Sequence, residues 1–158
     1  MSLAYDTDFY AWTREQADAL ERRSPNELDW ENLREEIDSL GRELTHALES
    51  ALEIVIHHWL KWRFQPHLRS RSWVLSIAEH RRRVERRLAD SPSLRPHLQE
   101  LFVEAYRTAR ITAAQETGLE QSTFPPDPPF DVDFALHEPI DWEPSTPQRR
   151  SSTRKTKA

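Results

Sequence analysis

The chain has 158 residues, a net charge of −5, 37% apolar and 31% charged side chains, and no cysteine. This length suits one domain that buries a hydrophobic core. The absence of cysteine excludes a disulfide framework, a thiolate metal site and a cysteine nucleophile. Only two glycines occur, and most of the 11 prolines lie after residue 124, so the chain up to that point lacks the turn-forming residues that an all-β fold needs.

The N-terminal residues contain neither a basic leader nor an apolar stretch of signal-peptide length. The longest apolar stretch, around Ile54–Leu60, includes two histidines. It is also far shorter than the ~20 residues that span a bilayer. The sequence therefore predicts a soluble cytoplasmic protein without a membrane segment.

The charges are segregated along the chain. Residues 1–60 carry 5 basic and 14 acidic side chains, and residues 88–143 carry 3 and 11, whereas residues 61–87 carry 9 basic and 2 acidic ones. Residues 144–158 add 5 basic side chains and no acidic one. Either the acidic helices pack beside the basic segment and neutralise it, or the basic segment is a docking surface for an anion or a nucleic acid.

The first predicted helix covers Tyr5–Arg23, with Asp6 or Thr7 as its cap. It ends at Ser24, because Pro25 disfavours a helical conformation in the residue before it. Apolar and small side chains at helical spacing give it a partial buried stripe, which comprises Phe9, Trp12, Gln16, Ala19 and Leu20.

The second predicted helix begins at the N-cap Asp29 and runs to Phe64, where Pro66 stops it. At about 35 residues and roughly 50 Å it would be long for a globular domain. Gly41 is the predicted place for a bend or a close helix contact. The apolar residues at spacings of three and four form one stripe: Leu33, Ile37, Leu40, Leu44, Leu48, Leu52, Val55, Trp59 and Trp62.

Two further helices are predicted. Ser70 or Ser72 caps the third, which ends at Asp90 and buries Trp73, Ile77, Val84 and Leu88. The fourth starts at Pro92 and ends near Thr117, with Gly118 as the residue that closes it. Its predicted buried side chains are Leu94, Leu98, Leu101, Phe102, Ala105, Tyr106, Ala109 and Ala113.

After Gly118 a proline-rich strap follows, which four aromatic side chains are expected to pin to the bundle: Phe124, Phe130, Phe134 and Trp142. Asp131 caps one short helical turn in it. Residues 144–158 lack large apolar side chains and are expected to be a disordered basic tail. The predicted fold is all-α, an antiparallel bundle of about four helices forming one domain over residues 3–143.

Several motifs together resemble one bacterial family, the domain of unknown function 29. They are Tyr5-Asp-x-Asp-Phe-Tyr-x-Trp12, Leu28-Asp-Trp-Glu-x-Leu-x-Glu-Glu-Ile37, Ser39-Leu-Gly41, His58-x-Leu-Lys-Trp62, Gln65-Pro66, Arg69-Ser-Arg-Ser-Trp73, Ser91-Pro-Ser-Leu94 and Phe124-Pro125. The resemblance covers roughly residues 3–143 and excludes the basic tail. It implies an all-α bundle and no established activity, substrate or cofactor.

A metal site is not predicted. Glu43 and His46 have the Glu-x-x-His spacing of di-iron bundles, but the chain has no second copy of this motif. His46, Glu53 and His57 fall on the face of the second helix opposite its apolar residues. His46 and His57 are also about 16 Å apart along a helix, which is too far to share one ion. We therefore expect no metal and no cofactor.

Four polar residues around the turn at Pro66 form a candidate anion or phosphate pocket: His58, Lys61, Arg69 and Ser72. The alternative is a structural polar cluster that fixes the turn between the second and third helices. The sequence shows no nucleophile paired with a base, so no catalytic residue is predicted.

Outward-facing arginines on the third helix form a candidate partner or nucleic-acid surface, which comprises Arg82, Arg83, Arg86 and Arg87. Val84 between them faces inward. The chain has no recognised nucleic-acid reader, and its acidic body would repel a polyanion. The alternative is an exposed arginine face partly paired with acidic neighbours.

Four tryptophans near the edges of the apolar stripes form either part of one core or a dimer or heteromer face: Trp30, Trp59, Trp62 and Trp73. The sequence favours a non-catalytic interaction or regulatory module that binds a protein partner or self-associates. A nucleic-acid-associated protein working through the third helix and the tail is the second hypothesis. An enzyme with an anion pocket near His58 is the third.

Overall fold

The computed structural model describes residues 3–143, with side chains from Tyr5 onward. Between these limits the chain is all-α and has no strand, which confirms the predicted fold class. No helix in this range is both long and apolar enough to cross a membrane. The predicted basic tail, residues 144–158, lies outside the described residues. The helices are α1 Leu3–Thr7, α2 Phe9–Glu21, α3 Trp30–Phe64, α4 Arg71–Asp90, α5 Leu98–Thr117 and α6 Val132–His137.

The predicted first helix is in fact two helices, because the backbone leaves the helical region at Asp8 (φ −149°, ψ 79°). The Asp8 carboxylate accepts a hydrogen bond from the Ala11 N–H at 3.0 Å and so caps α2. The prediction of Asp6 or Thr7 as the cap was therefore wrong. An aspartate inside a predicted helix competes for backbone N–H groups and starts a new helix instead.

Helix α3 continues without interruption through Gly41. The Asn32 N–H lies 3.4 Å from a carboxylate oxygen of Asp29, in agreement with the predicted N-cap. A Cβ atom added to Gly41 would meet nothing within 4 Å. The predicted close contact at Gly41 is therefore wrong, and the glycine is an exposed residue within an unbroken helix.

Local signals place the ends of α4 and α5. Ser70 caps α4 by accepting from the Trp73 N–H at 3.4 Å. Residues Pro92–His97 form a 3-10 helix before α5 begins at Leu98, so α5 starts six residues later than predicted. Pro96 has no N–H to donate to the carbonyl four residues before it, which disfavours an α-helix there. Gly118 ends α5 with φ at 70°, a conformation that glycine adopts without a Cβ clash.

The chain divides into two compact units, with the boundary inside α3 between Ser50 and Ala51. We call them the N-terminal unit and the C-terminal unit. The N-terminal unit buries Trp12, Gln16, Ala19 and Leu48. The C-terminal unit holds most of the buried apolar side chains, which include Leu52, Val55, Ile56, Leu60, Ile77, Val84, Phe102, Ala105, Tyr106, Ala109 and Phe124.

The proline-rich segment after Gly118 is held to the C-terminal unit by buried rings and by hydrogen bonds to its carbonyls. Phe124 is fully buried. Its carbonyl accepts from Arg110 Nε at 2.9 Å, and the Pro125 carbonyl accepts from the Tyr106 hydroxyl at 2.6 Å. Asp131 caps α6 by accepting from the Phe134 N–H at 2.8 Å, as predicted.

Candidate functional site

The N-terminal unit exposes a row of large apolar side chains on α3, which we call the apolar stripe. Its members are Ile37, Leu40 and Leu44, which are 66%, 61% and 49% exposed. Spacings of three and four place them on one face of the helix. The sequence assigned them to the same row as Leu52, which is fully buried, so spacing alone did not distinguish the open part of the row from the core.

The apolar stripe lies in an acidic environment. Glu36 lies four residues before Leu40 and Glu43 lies three residues after it. Both therefore border the apolar stripe on the same side of the helix. Glu36 also accepts a hydrogen bond from the Tyr5 hydroxyl at 2.6 Å, and this bond raises the pKa of Tyr5 to about 12. Over residues 5–50 the chain carries 13 acidic and 5 basic side chains, a net charge of −8.

The four tryptophans that the sequence singled out differ in exposure. Trp59 and Trp62 are buried and Trp73 is half-buried, whereas Trp30 is 64% exposed. The Trp30 indole N–H donates to the Pro25 carbonyl at 3.1 Å. Trp30 lies seven residues before Ile37 and therefore extends the apolar stripe by two helical turns.

A polar cluster in the C-terminal unit surrounds His57. This residue is 5% exposed, and neither of its ring nitrogens has a hydrogen-bond partner. Its Nε2 atom lies 3.6 Å from a carboxylate oxygen of Glu116 on α5. The sequence placed His57 on the helix face opposite the apolar residues, and the structure buries His57 there against α5. The Thr112 hydroxyl donates to Glu53 at 3.1 Å across the same contact.

Burial governs the protonation of this cluster. It lowers the pKa of His57 to about 4, with a further decrease from the neighbouring His58, while the Glu116 carboxylate acts in the opposite direction. Partial burial raises the pKa of Glu116, but a 2.6 Å hydrogen bond from Lys61 and the nearby histidine outweigh it, so the pKa is lowered overall. At neutral pH the cluster therefore contains a neutral imidazole beside a carboxylate that Lys61 already neutralises.

Three of the four residues of the predicted anion pocket have separate partners in the structure. The His58 ring bonds the Ile54 carbonyl through Nδ1 at 2.8 Å, and Lys61 pairs with Glu116. Arg69 donates through Nε to the Trp62 carbonyl at 2.9 Å, and Ser72 is exposed in the first turn of α4. Sequence reasoning missed Glu116, since it lies 55 residues from Lys61 and no local pattern links the two.

Arg69 instead lines a cavity of about 460 Å³ in the C-terminal unit, which we call the aromatic–arginine cavity. The Arg69 guanidinium carbon lies 4.6 Å from the centre of the Trp62 ring. The cavity combines aromatic walls with two arginines and two carboxylates. Its lining residues are Trp59, Trp62, Arg63, Arg69, Phe130, Phe134, Glu138, Pro139, Ile140 and Asp141.

The arginines of α4 surround a smaller recess of about 240 Å³, lined by Arg83, Arg86, Arg87 and Asp90. Arg83 pairs with Glu79 at 2.5 Å. The Nε atom of Arg87 is shielded from solvent and has no hydrogen-bond partner. Val84 is buried, and Arg82 is exposed. Within residues 3–143, no three histidine, aspartate or glutamate side chains are arranged to hold a metal ion.

A protein-family model with the description Domain of unknown function DUF29 matches residues 4–140, which is most of the chain. No curated protein and no solved structure matches it. The match covers both units and stops before the basic tail.

Proposed function

The chain belongs to the family Domain of unknown function DUF29, and within that family we propose that it serves as a non-catalytic protein-interaction module. The observation that carries this proposal is the apolar stripe on α3. We propose that its occupant is a basic amphipathic helix of a partner protein.

Apolar exposure supports a docking role. Leu, Ile and Trp side chains scattered singly on a surface need no explanation, but a contiguous row does. Ile37, Leu40 and Leu44 lie in such a row and are each about half to two-thirds exposed, and Trp30 continues it. Helices bind to surfaces of this type through their own residues at spacings of three and four.

Charge supports a cationic partner. The net charge of −8 over residues 5–50 repels a second copy of the same unit and attracts a cationic segment. Glu36 and Glu43 at the border of the apolar stripe would face lysines or arginines that flank the apolar residues of the partner helix. Such an arrangement resembles the rim of many interfaces, where charges set the partner and the association rate.

The polar cluster supports a stabilising role rather than catalysis. His57 is buried, and Glu116 is already paired with Lys61 at 2.6 Å. A general base must reach the proton that it removes. The Glu116 carboxylate is instead held by Lys61 where α5 packs against α3, and the buried His57 ring has no hydrogen-bond partner, so neither group is placed to remove a proton from a substrate.

The test is binding of two labelled helical peptides to the full chain. Both carry leucines at spacings of three and four; one has lysines at the remaining positions and the other has glutamates. We expect saturable binding of the lysine peptide only, weakened by salt. Ile37→Ser and Leu40→Ser should each weaken it roughly tenfold, since each removes an apolar contact of about 1–2 kcal/mol.

The matched control is Leu75→Ser on α4, because Leu75 is 56% exposed and lies outside the apolar stripe. It should leave the affinity unchanged. Equal loss of affinity in the control would show non-specific attraction to an acidic protein. A molecular mass that doubles with concentration, and reverts in Leu40→Ser, would show that the occupant is a second copy and would refute the charge argument.

Nucleic-acid binding is a second candidate, favoured by the recess that Arg83, Arg86 and Arg87 share and by the unpartnered Nε of Arg87. Phosphate contacts make affinity fall steeply with salt. We therefore expect duplex or single-stranded DNA to bind at about 50 mM salt, to dissociate near 200 mM, and to be lost in the variant with Arg83→Glu and Arg86→Glu. If this variant still binds DNA, other cations of the chain are responsible for the binding. If the wild-type chain does not bind DNA at either salt concentration, nucleic-acid binding is excluded.

A further inference from the structure

We propose that the aromatic–arginine cavity binds a small zwitterion with an apolar body, such as an α-amino acid with an aromatic or large aliphatic side chain. This site lies in the C-terminal unit and is independent of the apolar stripe. Three features of the cavity support this proposal: walls held by hydrogen bonds, one guanidinium fixed against Trp62, and two arginines together with two acidic residues in the lining.

The walls of the cavity are held by hydrogen bonds from side chains to backbone carbonyls. On one side lies the end of α3, and on the other lie α6 and residues 138–141. The Trp59 indole N–H donates to the Ala135 carbonyl at 3.0 Å, and Arg63 donates to the Pro129 carbonyl at 3.2 Å. Arg81 donates to the Glu138 carbonyl at 2.8 Å. These bonds fix the wall of the cavity from Pro129 to Glu138 against the side chains of α3 and α4.

Arg69 provides a preorganised site for a carboxylate. Its Nε–H donates to the Trp62 carbonyl at 2.9 Å, and its guanidinium carbon lies over the Trp62 ring, 4.6 Å from the ring centre. These two contacts fix the guanidinium, and its two terminal nitrogens have no partner among the described residues. A planar fork with both ends open binds carboxylate oxygens in a bidentate manner. Arg63 adds a second positive charge at the same cavity.

Glu138 and Asp141 provide the opposite charge. Both residues line the cavity and are exposed. Neither carboxylate forms an ion pair with a described residue, although the charge of Glu138 also acts on Arg81 at the cavity wall. An anionic ligand without a cation would meet two carboxylates as well as two guanidiniums. A ligand that carries both an ammonium and a carboxylate matches the whole set of charges, which is how polar groups in a site produce specificity.

The remaining lining is apolar and comprises Trp59, Trp62, Phe130, Phe134, Pro139 and Ile140. The Phe130 and Phe134 rings stack with centroids 5.4 Å apart, and Phe134 also lies 5.1 Å from Trp59. A cavity of about 460 Å³ is within the range of small-molecule sites. An aromatic or branched aliphatic side chain would contact these rings while its charged groups face Arg69 and the rim.

The experiment is calorimetric titration of the full chain with three ligands that share one phenyl body: L-phenylalanine, 3-phenylpropionate, which lacks the ammonium, and phenethylamine, which lacks the carboxylate. We expect L-phenylalanine to bind at least about tenfold more tightly than either of the others, since each lost ion contact weakens binding by that factor or more. Arg69→Gln should weaken L-phenylalanine binding about tenfold and leave phenethylamine unaffected. The variant with Glu138→Gln and Asp141→Asn should also weaken L-phenylalanine binding about tenfold, because it removes the partners of the ammonium. It should leave 3-phenylpropionate, which has no ammonium, unaffected.

The matched control is Arg110→Gln. Arg110 is also half-buried and donates through Nε to a backbone carbonyl at 2.9 Å, but it does not line the cavity. It should leave every affinity unchanged, while far-ultraviolet circular dichroism shows whether each variant is folded. Two results would overturn the proposal: no saturable binding of L-phenylalanine, or equal affinity for L-phenylalanine and 3-phenylpropionate. An effect of Arg110→Gln equal to that of Arg69→Gln would also overturn it.

Discussion

His57 makes the stability of the chain depend on pH in a predictable direction. Burial lowers its pKa from 6.5 to about 4, so the folded chain keeps the imidazole neutral where the unfolded chain protonates it. The unfolded state then binds more protons between these two pH values, and the free energy of unfolding falls as the pH falls. Stability from this residue is complete above pH 6.5 and is lost on acidification toward pH 4.

The size of the effect follows from the two pKa values of about 4 and 6.5. Each pKa unit corresponds to about 1.4 kcal/mol, so the loss between pH 7 and pH 4 is roughly 3 kcal/mol. The charged and titratable groups around the ring are His58 and Lys61 on α3 and Glu116 on α5. Glu116 and the backbone of Glu53 favour the protonated form, but burial outweighs both, and the charge of Glu116 is already paired with Lys61.

Urea unfolding between pH 4 and pH 7.5 measures this effect when wild type is compared with His57→Phe. We expect the variant to lose roughly 3 kcal/mol less than wild type on acidification, since phenylalanine fills the site and does not titrate. Ile77→Val, a buried change in the same unit, is the control and should shift the curve equally at every pH. A difference between wild type and His57→Phe that is constant with pH would refute the reasoning.

Two further changes test the packing of the C-terminal unit. Leu60→Ala removes a fully buried side chain from α3 and should lower the free energy of unfolding by about 2–5 kcal/mol in urea titration; a loss below about 1 kcal/mol would contradict the assigned core. Gly118→Ala places a Cβ on a residue with φ at 70° and should lower the free energy of unfolding by roughly 1 kcal/mol. Gly41→Ala lies at an open helical position and should raise the free energy of unfolding by up to about 1 kcal/mol. Equal effects at the two glycines would contradict the left-handed end of α5.

Local sequence determined where most helices begin and end. Asp29, Ser70 and Asp131 accept hydrogen bonds from N–H groups three residues later, and Gly118 closes α5 in a left-handed conformation. Such contacts join residues within one turn, so composition and spacing are sufficient to predict them. The same locality explains the error at Asp8, because an aspartate can lie within a helix or start one, and nothing nearby decides between them.

The burial of individual helix faces could not be predicted from local sequence. Ile37 and Leu52 share one row at helical spacing, yet the first is 66% exposed and the second is fully buried. His57 lies across from that row and is buried against α5, 59 residues away at Glu116. Periodicity identifies a face, but whether another segment covers it depends on contacts between residues distant in sequence.

The candidate sites show the same division. The sequence by itself determined that the chain is all-α, that its charge is segregated, and that Arg69 and the tryptophans near Pro66 are unusual. Only the tertiary structure decided that Lys61 neutralises Glu116, that the Arg69 guanidinium lies over the Trp62 ring, and that residues 138–141 line a cavity with these last two residues. The physical reason is range: helix formation and capping act within a few residues, whereas a binding site requires side chains that only the packing of remote segments brings together.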